Sequence, residues 1–324
     1  MRVLIVDKFE KSGLQGIQAC GCEAIYEPET GAEKLVDALS AHRPEILVVR
    51  STKVQAKAIE AARVAGVKLI VRAGAGVDNI DVPAATNAGI KVCNCPGMNA
   101  DAVAELAIGL LISCDRRIPD QTVELRSGAW NKKEYAKARG LRGATLGIVG
   151  FGNIGIRVAR IAKAMGMKVM VWSKNLSRDE CEAAQVIHRG SSRDELDQLL
   201  PECDAITLHV AATSETEKLV DAKFLGLMKP GAYLINTSRG SVVDEAALRD
   251  AVLSKGIRAG LDVYQNQPSQ TQGPFDCAIA KLPGVYCTHH AGASTDQAQL
   301  AVADETVRII GVYKHHARAE NAVN

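Results

Sequence analysis

Residues 147–155 read Gly147-Ile148-Val149-Gly150-Phe151-Gly152-Asn153-Ile154-Gly155 and stand between a β-branched run and an amphipathic stretch. In this context Gly150 permits a sharp turn, Gly152 lets the backbone approach a pyrophosphate, and Gly155 lets a helix pack closely on a strand. The N-terminus of the following helix would offer free N–H groups and the positive end of its dipole to phosphates. The segment therefore predicts a dinucleotide-binding domain with a parallel sheet.

Strands and helices alternate outward from this segment along almost the whole chain. Short Val, Ile and Leu runs alternate with longer segments of helical period, which is typical of an α/β protein. The predicted strands are 3–7, 46–49, 69–72, 145–149, 168–172, 205–209, 233–236 and 260–263. The predicted helices are 101–114, 155–165, 193–199, 221–227 and 245–254, with Asp221 and Asp244 as N-caps. Segments 116–143 and 265–283 interrupt the apolar rhythm and are interpreted as joints.

The composition excludes several functional classes. The 324 residues include 39 basic and 37 acidic side chains, so the net charge of +2 provides no basic surface for nucleic acid or membrane. No apolar stretch approaches the ~20 residues that span a bilayer. The N-terminus predicts a strand and no signal peptide, so a cytoplasmic location is expected. The nine cysteines form no C-x-x-C pair, which favours reduced thiols and no metal site.

The residue that follows the second strand of the dinucleotide domain bears on the coenzyme. An NAD-binding fold places Asp or Glu there against the adenine ribose, but this sequence has Ser173, followed by Lys174. Without the carboxylate nothing repels a 2′-phosphate, and Lys174 could attract one. We therefore expect NAD as the coenzyme, with NADP possible. In the alternative, Ser173 only hydrogen-bonds the ribose and Lys174 is solvated.

Two further segments carry chemistry near predicted strand ends. Arg239 lies in Asn236-Thr237-Ser238-Arg239-Gly240, where ligands of open α/β sheets bind, and its planar fork suits a small carboxylate. His290 lies in Thr288-His289-His290-Ala291-Gly292 and could take a hydroxyl proton while a hydride leaves the same carbon. In the alternative, Arg239 is a surface ion-pair partner and the histidines belong to an ordinary loop.

Taken in order, these motifs resemble those of the D-isomer-specific 2-hydroxyacid dehydrogenases. The resemblance rests on the glycine motif, on 236–240, on Gly260-Leu261-Asp262-Val263-Tyr264 and on 290–294, and it covers nearly the whole chain. Segments 49–52, 72–81, 94–99 and 104–106 are similar to those of the members that oxidise D-3-phosphoglycerate. The resemblance implies reversible hydride transfer between NAD(P) and C2 of D-3-phosphoglycerate or 3-phosphohydroxypyruvate, the entry step to serine.

The resemblance also implies the domain organisation and the site residues. Two Rossmann-like domains are expected: a flavodoxin-like substrate domain from 1–97 and 292–324, and a doubly wound dinucleotide domain from 98–291. The implied catalytic residues are Arg239, Gln267 and His290. The implied substrate-binding residues are Arg50, Ser51, Arg72, Gly74, Ala75 and Gly76, although Arg50 and Arg72 could instead form ordinary ion pairs. The implied coenzyme-binding residues are Gly150, Phe151, Gly152, Asn153, Ile154, Gly155, Ser173, Lys174, His209, Val210, Thr216, Thr237, Ser238, Asp262 and Gly292. A homodimer is expected through 102–139, where Trp130 and Lys132 could contribute to a neighbouring active site.

Two residues depart from the family pattern. A segment of the form D-V-Y-x-x-E-P usually supplies an acid that pairs with the catalytic histidine, but Gln267 stands at that position here. Gln267 can orient the imidazole but cannot stabilise its cation by charge, so we expect ketoacid reduction to decline at lower pH than usual. Formate dehydrogenases of the superfamily also use glutamine, but the motifs at the front of the chain argue against that activity. His289 stands where proline is common.

Two rival functions stay open. A glyoxylate or hydroxypyruvate reductase needs no phosphate site, so dependence on Arg50 distinguishes it. A dinucleotide-sensing scaffold similar to the C-terminal-binding-protein corepressors would bind coenzyme without turnover, but Arg239 and His290 favour an enzyme. Because the sequence ends at Asn324, we expect no C-terminal regulatory domain. We therefore also expect no feedback inhibition by serine through such a domain.

Overall fold

The computed structural model describes residues 1–174, 176, 178–268 and 272–324. The chain divides into two compact units: unit 1 comprises Met1–Asn99 and Ala293–Asn324, and unit 2 comprises Ala100–Gly292. Each unit contains a parallel sheet, which confirms the predicted α/β class with two Rossmann-like domains. The assignment of substrate to one unit and dinucleotide to the other stays a prediction. Of the predicted joint 265–283, residues 269–271 lie outside the described residues.

The helices and strands have the following bounds. The strands are β1 (Arg2–Ile5), β2 (Glu23–Tyr26), β3 (Ile46–Val49), β4 (Leu69–Arg72), β5 (Lys91–Asn94), β6 (Thr145–Val149), β7 (Lys168–Trp172), β8 (Ile187–His188), β9 (Ala205–Leu208), β10 (Tyr233–Asn236), β11 (Arg258–Leu261) and β12 (Val285–Cys287). The helices are α1 (Lys11–Ala19), α2 (Gly31–His42), α3 (Ala56–Ala65), α4 (Val82–Asn87), α5 (Ala100–Arg116), α6 (Ile118–Arg126), α7 (Lys132–Tyr135), α8 (Asn153–Ala164), α9 (Arg178–Ala184), α10 (Arg193–Leu199), α11 (Ala222–Leu227), α12 (Glu245–Lys255) and α13 (Asp296–His316). Within the described ranges, no helix combines the length and hydropathy that crossing a bilayer requires.

Unit 1 is built on a five-stranded sheet in the order β2-β1-β3-β4-β5, which is the flavodoxin-like order. Strand β3 is buried along its whole length, as expected where helices cover both faces of a parallel sheet. Val49 pairs with Arg72, so β3 and β4 end at the same edge. Helix α13, from the far end of the chain, packs against α1, and the Val323 N–H donates a hydrogen bond to the carbonyl of Val92 in β5.

Unit 2 is built on a seven-stranded sheet in the order β12-β11-β10-β9-β6-β7-β8. Strands β6, β9 and β10 are buried along their whole length. The strand order reverses beside β6, which makes the sheet doubly wound, and ligands of such sheets bind outside the carboxyl ends of the strands near that point. The loops after β6, β9, β10, β11 and β12 therefore share the edge where a ligand is expected.

Both predicted N-caps in unit 2 are confirmed. The Asp221 carboxylate accepts a hydrogen bond from the Phe224 N–H at 2.8 Å. The Asp244 carboxylate accepts from the N–H groups of Ala246 and Ala247 at 3.1 and 3.2 Å. Each cap satisfies donors that the first helical turn leaves unpaired, so α11 and α12 begin where the sequence signal places them.

Some predicted bounds are wrong. Predicted strand 3–7 ends at Ile5, and predicted strand 260–263 lies two residues earlier, at Arg258–Leu261. Segment 116–143, interpreted as a joint, contains two helices that the sequence does not predict, α6 and α7. Neither helix has a buried residue, so the apolar period that marks a helix in the sequence is missing. Arg117 connects them by pairing with Asp120 at 3.0 Å and Glu134 at 2.7 Å.

Candidate active site

The glycine-rich turn between β6 and α8 shapes the carboxyl edge of the sheet in unit 2. Gly150 has φ +96°, and a Cβ there would lie 2.5 Å from the His209 carbonyl oxygen, so the loops after β6 and β9 can approach only at glycine. The Gly150 N–H donates to the Trp172 carbonyl at 2.8 Å. Gly152 is the N-cap of α8, and no described atom lies within 4 Å of where its Cβ would be. The start of α8 therefore has open space on the side of Gly152 where a Cβ would lie.

Beyond β9 and β10, the buried atoms His209 Nδ1 and Thr237 Oγ1 have no hydrogen-bond partner among the described residues. The other ring nitrogen, His209 Nε2, lies 2.9 Å from Thr207 Oγ1. Burial lowers the pKa of His209 to about 3, so the ring is neutral. A buried polar atom without a partner costs about 1–3 kcal/mol, which hydrogen bonds to a ligand would recover. These atoms and the start of α8 fit a dinucleotide.

The other predicted coenzyme residues differ in what they contact. Phe151 is buried in the core of unit 2, and Asn153 is exposed at the start of α8. Thr216 Oγ1 accepts from the Thr213 N–H at 2.8 Å and donates to the Ala211 carbonyl at 2.6 Å, so it holds the loop after β9 together. Ile154 and Val210 are partly buried against the apolar core.

Ser173 and Lys174 follow β7, as the sequence predicts for the adenine-ribose position. The Ser173 N–H donates to the Gly190 carbonyl at 3.1 Å, which holds the end of the strand against the loop after β8. The Lys174 ammonium forms an ion pair with Glu215. The positive charge that the sequence offers to a 2′-phosphate is therefore already compensated by a carboxylate.

Arg239 is presented by a turn built on Asn236. Asn236 is 1% exposed, and its Oδ1 accepts from the N–H of Ser238 at 3.0 Å and from its hydroxyl at 2.7 Å. Its Nδ2 donates to the Arg239 carbonyl at 2.9 Å. The Arg239 guanidinium in turn donates to the Ser238 carbonyl at 2.8 Å. These bonds fix the half-buried Arg239 at the carboxyl end of β10.

Gly240 brings the loop after β10 against the loop after β11. A Cβ on Gly240 would overlap the Tyr264 carbonyl group and lie 2.5 Å from Gln265 N. The two backbones can pack this closely because glycine has no side chain there. Arg239, next to Gly240, therefore stands on a loop in direct contact with the segment that leads to Gln267.

His290 follows β12 and contacts Gln267 directly. The Gln267 Nε2 lies 2.6 Å from His290 Nδ1, while Gln267 Oε1 accepts from the Tyr264 N–H at 3.2 Å. The His290 backbone is left-handed, with φ 51°, and both His290 and His289 are exposed. The structure thus joins two of the three predicted catalytic residues by a hydrogen bond.

The loop that carries His290 is held by Asp262, which is 1% exposed. Its Oδ1 accepts from the Thr288 hydroxyl at 2.5 Å and the Ala291 N–H at 2.8 Å, and its Oδ2 accepts from the Gly292 N–H at 2.9 Å. The Asp262 carbonyl also accepts from the His290 N–H at 2.9 Å. The sequence predicts Asp262 and Gly292 beside the coenzyme, whereas the contacts that the structure shows for them position the His290 loop.

In unit 1, the Asp7 side chain contacts loop 50–52, which the sequence predicts to bind the substrate. Its carboxylate accepts from the N–H groups of Arg50, Ser51 and Thr52 at 2.7 to 3.1 Å, and from the hydroxyls of Ser51 and Thr52 at 2.9 and 3.1 Å. The Ser51 hydroxyl is therefore engaged within the chain. Burial lowers the pKa of Arg50 although Asp7 and Glu10 oppose this shift, and Arg50 stays cationic.

The glycine-rich loop 74–76 of unit 1, which the sequence predicts to bind the substrate, also makes hydrogen bonds within the chain. The Gly74 N–H, which the resemblance offers to the substrate, instead donates to the Arg72 carbonyl at 2.8 Å. The Arg72 guanidinium lies where a Cβ of Gly74 would be. Asn94 Nδ2 donates to the Ala75 carbonyl at 2.5 Å, while Gly76 is half-buried in the same loop. The roles of Arg50, Arg72 and the N–H groups of Ala75 and Gly76 toward an anionic substrate group stay predictions.

Sequence reasoning missed three positioning residues: Asp7, Asn236 and Tyr264. Asp7 is the last residue of predicted strand 3–7, and a carboxylate at the end of a strand in a parallel sheet lies where ligand-binding loops begin. Asn236 could have been noticed as a polar residue at the end of an apolar strand. The Tyr264 contact runs through a backbone N–H, which has no signal in the sequence.

Unit 2 is a doubly wound domain with a glycine-rich turn after β6. At the same sheet edge it carries an arginine and a histidine that is hydrogen-bonded to an amide. Together these features define the class of nicotinamide-dependent dehydrogenases. In agreement, residues 108–292 match the family model "D-isomer specific 2-hydroxyacid dehydrogenase, NAD binding domain". The chain belongs to this family. The predicted family, the dehydrogenase class and the nicotinamide coenzyme are confirmed.

Individual relatives extend the match over the whole chain. The hydroxypyruvate reductase of Thermotoga maritima is 42% identical over 268 residues, which are 82% of this chain and 83% of that protein. The D-3-phosphoglycerate dehydrogenase of Methanocaldococcus jannaschii is 36% identical over 329 residues, and the match covers 100% of this chain but 59% of that protein. The crystal structure of the TT0316 protein from Thermus thermophilus has a TM-score of 0.87 at 29% identity and covers 100% of both chains.

Proposed function

We propose that the chain catalyses reversible hydride transfer between NAD(P) and C2 of D-3-phosphoglycerate, with 3-phosphohydroxypyruvate as the ketoacid. One observation carries the proposal: the His290 imidazole is hydrogen-bonded to Gln267 at the sheet edge where Arg239 also stands. An arginine fork for a carboxylate and an imidazole for the hydroxyl proton are the groups that this reaction needs.

Each side chain has a separate task. The coenzyme, when bound, supplies or accepts the hydride. Arg239 holds the carboxylate and the C2 oxygen of the substrate through parallel N–H bonds, which fixes the position of C2. His290 exchanges a proton with the C2 oxygen. Asn236 and Asp262 keep the loops of Arg239 and His290 in place through the hydrogen bonds described above.

The direct test is an assay of the purified protein with phosphohydroxypyruvate and either NADH or NADPH. Oxidation of the coenzyme that depends on the ketoacid supports the proposal. Tight coenzyme binding without turnover across a panel of 2-keto acids would contradict it and would support the dinucleotide-sensing scaffold.

Arg50→Ala should raise the KM for phosphohydroxypyruvate by about 10- to 100-fold, because a charge-assisted hydrogen bond contributes about 1.5–3 kcal/mol. The KM for glyoxylate, which has no phosphate, should change by less than about threefold. A change of this size corresponds to the free energy of one weak exposed contact. Steady-state kinetics with both substrates measure the difference. Arg63→Ala removes an exposed arginine from α3 of the same unit and should change neither KM. Equal losses on both substrates would argue against a phosphate role.

The contacts of Asp7 favour a hydroxypyruvate or glyoxylate reductase as the second candidate. Asp7 already takes the N–H groups of residues 50–52, so this loop has fewer donors for a phosphate. A negative carboxylate beside Arg50 also opposes a phosphate dianion. A higher kcat/KM for hydroxypyruvate than for phosphohydroxypyruvate would select this candidate.

For the coenzyme, we propose that NAD is preferred and NADP accepted, since Ser173 does not exclude a 2′-phosphate and Glu215 compensates Lys174. Ser173→Asp should lower kcat/KM for NADPH by about tenfold or more, because the new carboxylate repels the 2′-phosphate. The kcat/KM for NADH should be nearly unchanged. Parallel kinetics with the two coenzymes measure the ratio, and an unchanged ratio would show that Ser173 does not face the ribose.

We also propose a homodimer formed through α6 and the loop that follows it. This segment exposes Ile118, Val123, Leu125 and Trp130, of which Trp130 is 79% exposed. An exposed apolar group of this kind is typical of a surface that a partner covers. The contribution of Trp130 and Lys132 to a neighbouring active site, and the cytoplasmic location, stay predictions.

A further inference from the structure

We propose that the Tyr264 N–H determines which nitrogen of His290 carries the proton. Tyr264 N lies 3.2 Å from Gln267 Oε1, and Gln267 Nε2 lies 2.6 Å from His290 Nδ1. A backbone N–H can only donate, so it takes the amide oxygen of Gln267 as its acceptor. The amide NH2 group of Gln267 is then the group that faces His290.

The direction of this second hydrogen bond selects the tautomer. The NH2 group of Gln267 donates, so His290 Nδ1 must offer a lone pair. A neutral imidazole with a lone pair on Nδ1 carries its proton on Nε2. Because Gln267 contacts Nδ1, the proposed proton exchange with the substrate runs through Nε2. In this tautomer Nε2 can donate a hydrogen bond but cannot accept a proton.

Neither direction of the proposed reaction can use that tautomer. Oxidation of a hydroxy acid moves the hydroxyl proton to Nε2, which requires a lone pair on Nε2 and the ring proton on Nδ1. Reduction moves a proton from Nε2 of an imidazolium to the C2 oxygen, while the hydride goes to C2, and leaves neutral His290 protonated on Nδ1. Both directions therefore need a proton on Nδ1, where the NH2 group of Gln267 stands.

Turning the Gln267 amide replaces one conflict with another. Its oxygen would accept from the Nδ1–H of His290, but its NH2 group would then face the Tyr264 N–H. When Nδ1 carries a proton, one donor therefore stays unsatisfied in either orientation of the amide. A glutamate removes the conflict, because its two oxygens can accept from Tyr264 and His290 at the same time. Gln267 is thus a positioning residue that keeps His290 in a resting tautomer, and each turnover requires the amide to turn.

The protonation site can be tested without any turnover. We propose ¹⁵N NMR of the full chain labelled in its imidazole rings, with His290 assigned from the signal that His290→Gln removes. Neutral His290 should be protonated on Nε2 in the wild type and on Nδ1 in Gln267→Glu. Gln265→Glu adds the same charge on an exposed neighbour and should keep the wild-type tautomer. An Nδ1–H form in the wild type would overturn the proposal.

The kinetic consequence rests on the proposed function. Gln267→Glu should raise kcat about tenfold in both directions, which corresponds to one unsatisfied donor removed. Gln265→Glu should leave kcat unchanged. An unchanged or lower kcat in Gln267→Glu would refute the claim that the amide limits turnover. A wild type without activity would contradict the proposed function, while the NMR result would still decide the tautomer.

Discussion

His290→Ala is expected to lower kcat by about 10²- to 10⁴-fold, the usual contribution of a positioned general acid or base. The imidazole exchanges the proton of the C2 oxygen, and alanine offers no group for this step. The Kd for NADH should stay within about threefold of the wild-type value. A threefold change corresponds to less binding free energy than one hydrogen bond contributes. The atoms that fit the dinucleotide belong to the turn after β6 and to His209 and Thr237, not to the His290 ring. Steady-state turnover and a fluorescence titration with NADH measure the two quantities.

The neighbouring imidazole provides the control for this prediction. His289 is exposed like His290, but Gln267 contacts Nδ1 of His290. We therefore expect His289→Ala to retain most of the wild-type kcat. A large loss in His289→Ala with normal turnover in His290→Ala would reassign the proton-transferring group to His289.

Gly240→Ala should lower kcat/KM by about 100-fold, although residue 240 carries no functional group. Its Cβ would overlap the Tyr264 carbonyl group, so the loops after β10 and β11 would have to separate. Arg239 stands on the first loop and Gln267 on the second. A displacement of about 1 Å between reacting groups can cost about 10²-fold in rate. Circular dichroism and thermal unfolding, measured beside the kinetics, distinguish displaced loops from an unfolded protein.

Gly226→Ala is the matched control for Gly240→Ala. Gly226 lies in α11 of the same unit, and no described atom lies within 4 Å of its Cβ position. Alanine favours a helix over glycine by up to about 1 kcal/mol, so this variant should be as stable as the wild type or more stable, with unchanged kinetics. Normal kinetics in Gly240→Ala would show that the two loops do not depend on their close contact.

The features that the sequence predicts correctly have local signals. Gly150 lies in a turn whose strand and helix are its immediate neighbours, and Asp221 and Asp244 cap the helices that begin at the next residue. The sequence places Arg239 just beyond a strand end because Tyr233, Leu234 and Ile235 form a short apolar run before Asn236. Each of these features is determined by a few consecutive residues. A single sequence, without related sequences, is therefore sufficient to predict it.

The missed features depend on partners far away in the chain or on backbone groups. Asp7 meets loop 50–52 only because β1 and β3 are neighbours in the sheet, and this order follows from packing of the whole unit. The Tyr264 N–H has no sequence signature, so the orientation of Gln267 could not be predicted. The sequence does not predict α6 because the helix buries no apolar residue, and Asp120 in its first turn pairs with Arg117 on the surface.

The two-ended construction of unit 1 has a consequence for the nascent chain. Val302, Ile309 and Ile310 of α13 complete the apolar cluster that contains Val3 and Ile5, and residues 321–323 pair beside β5. During translation, the first sheet therefore leaves the ribosome with one apolar face uncovered until all of unit 2 has been synthesised. Unit 2 is continuous in sequence and can fold cotranslationally in that interval, whereas closing unit 1 requires contacts across nearly the full length of the polypeptide. We therefore expect unit 2 to complete its folding before unit 1, although unit 1 begins first in the sequence. The incomplete N-terminal segment is then the part exposed to aggregation during synthesis.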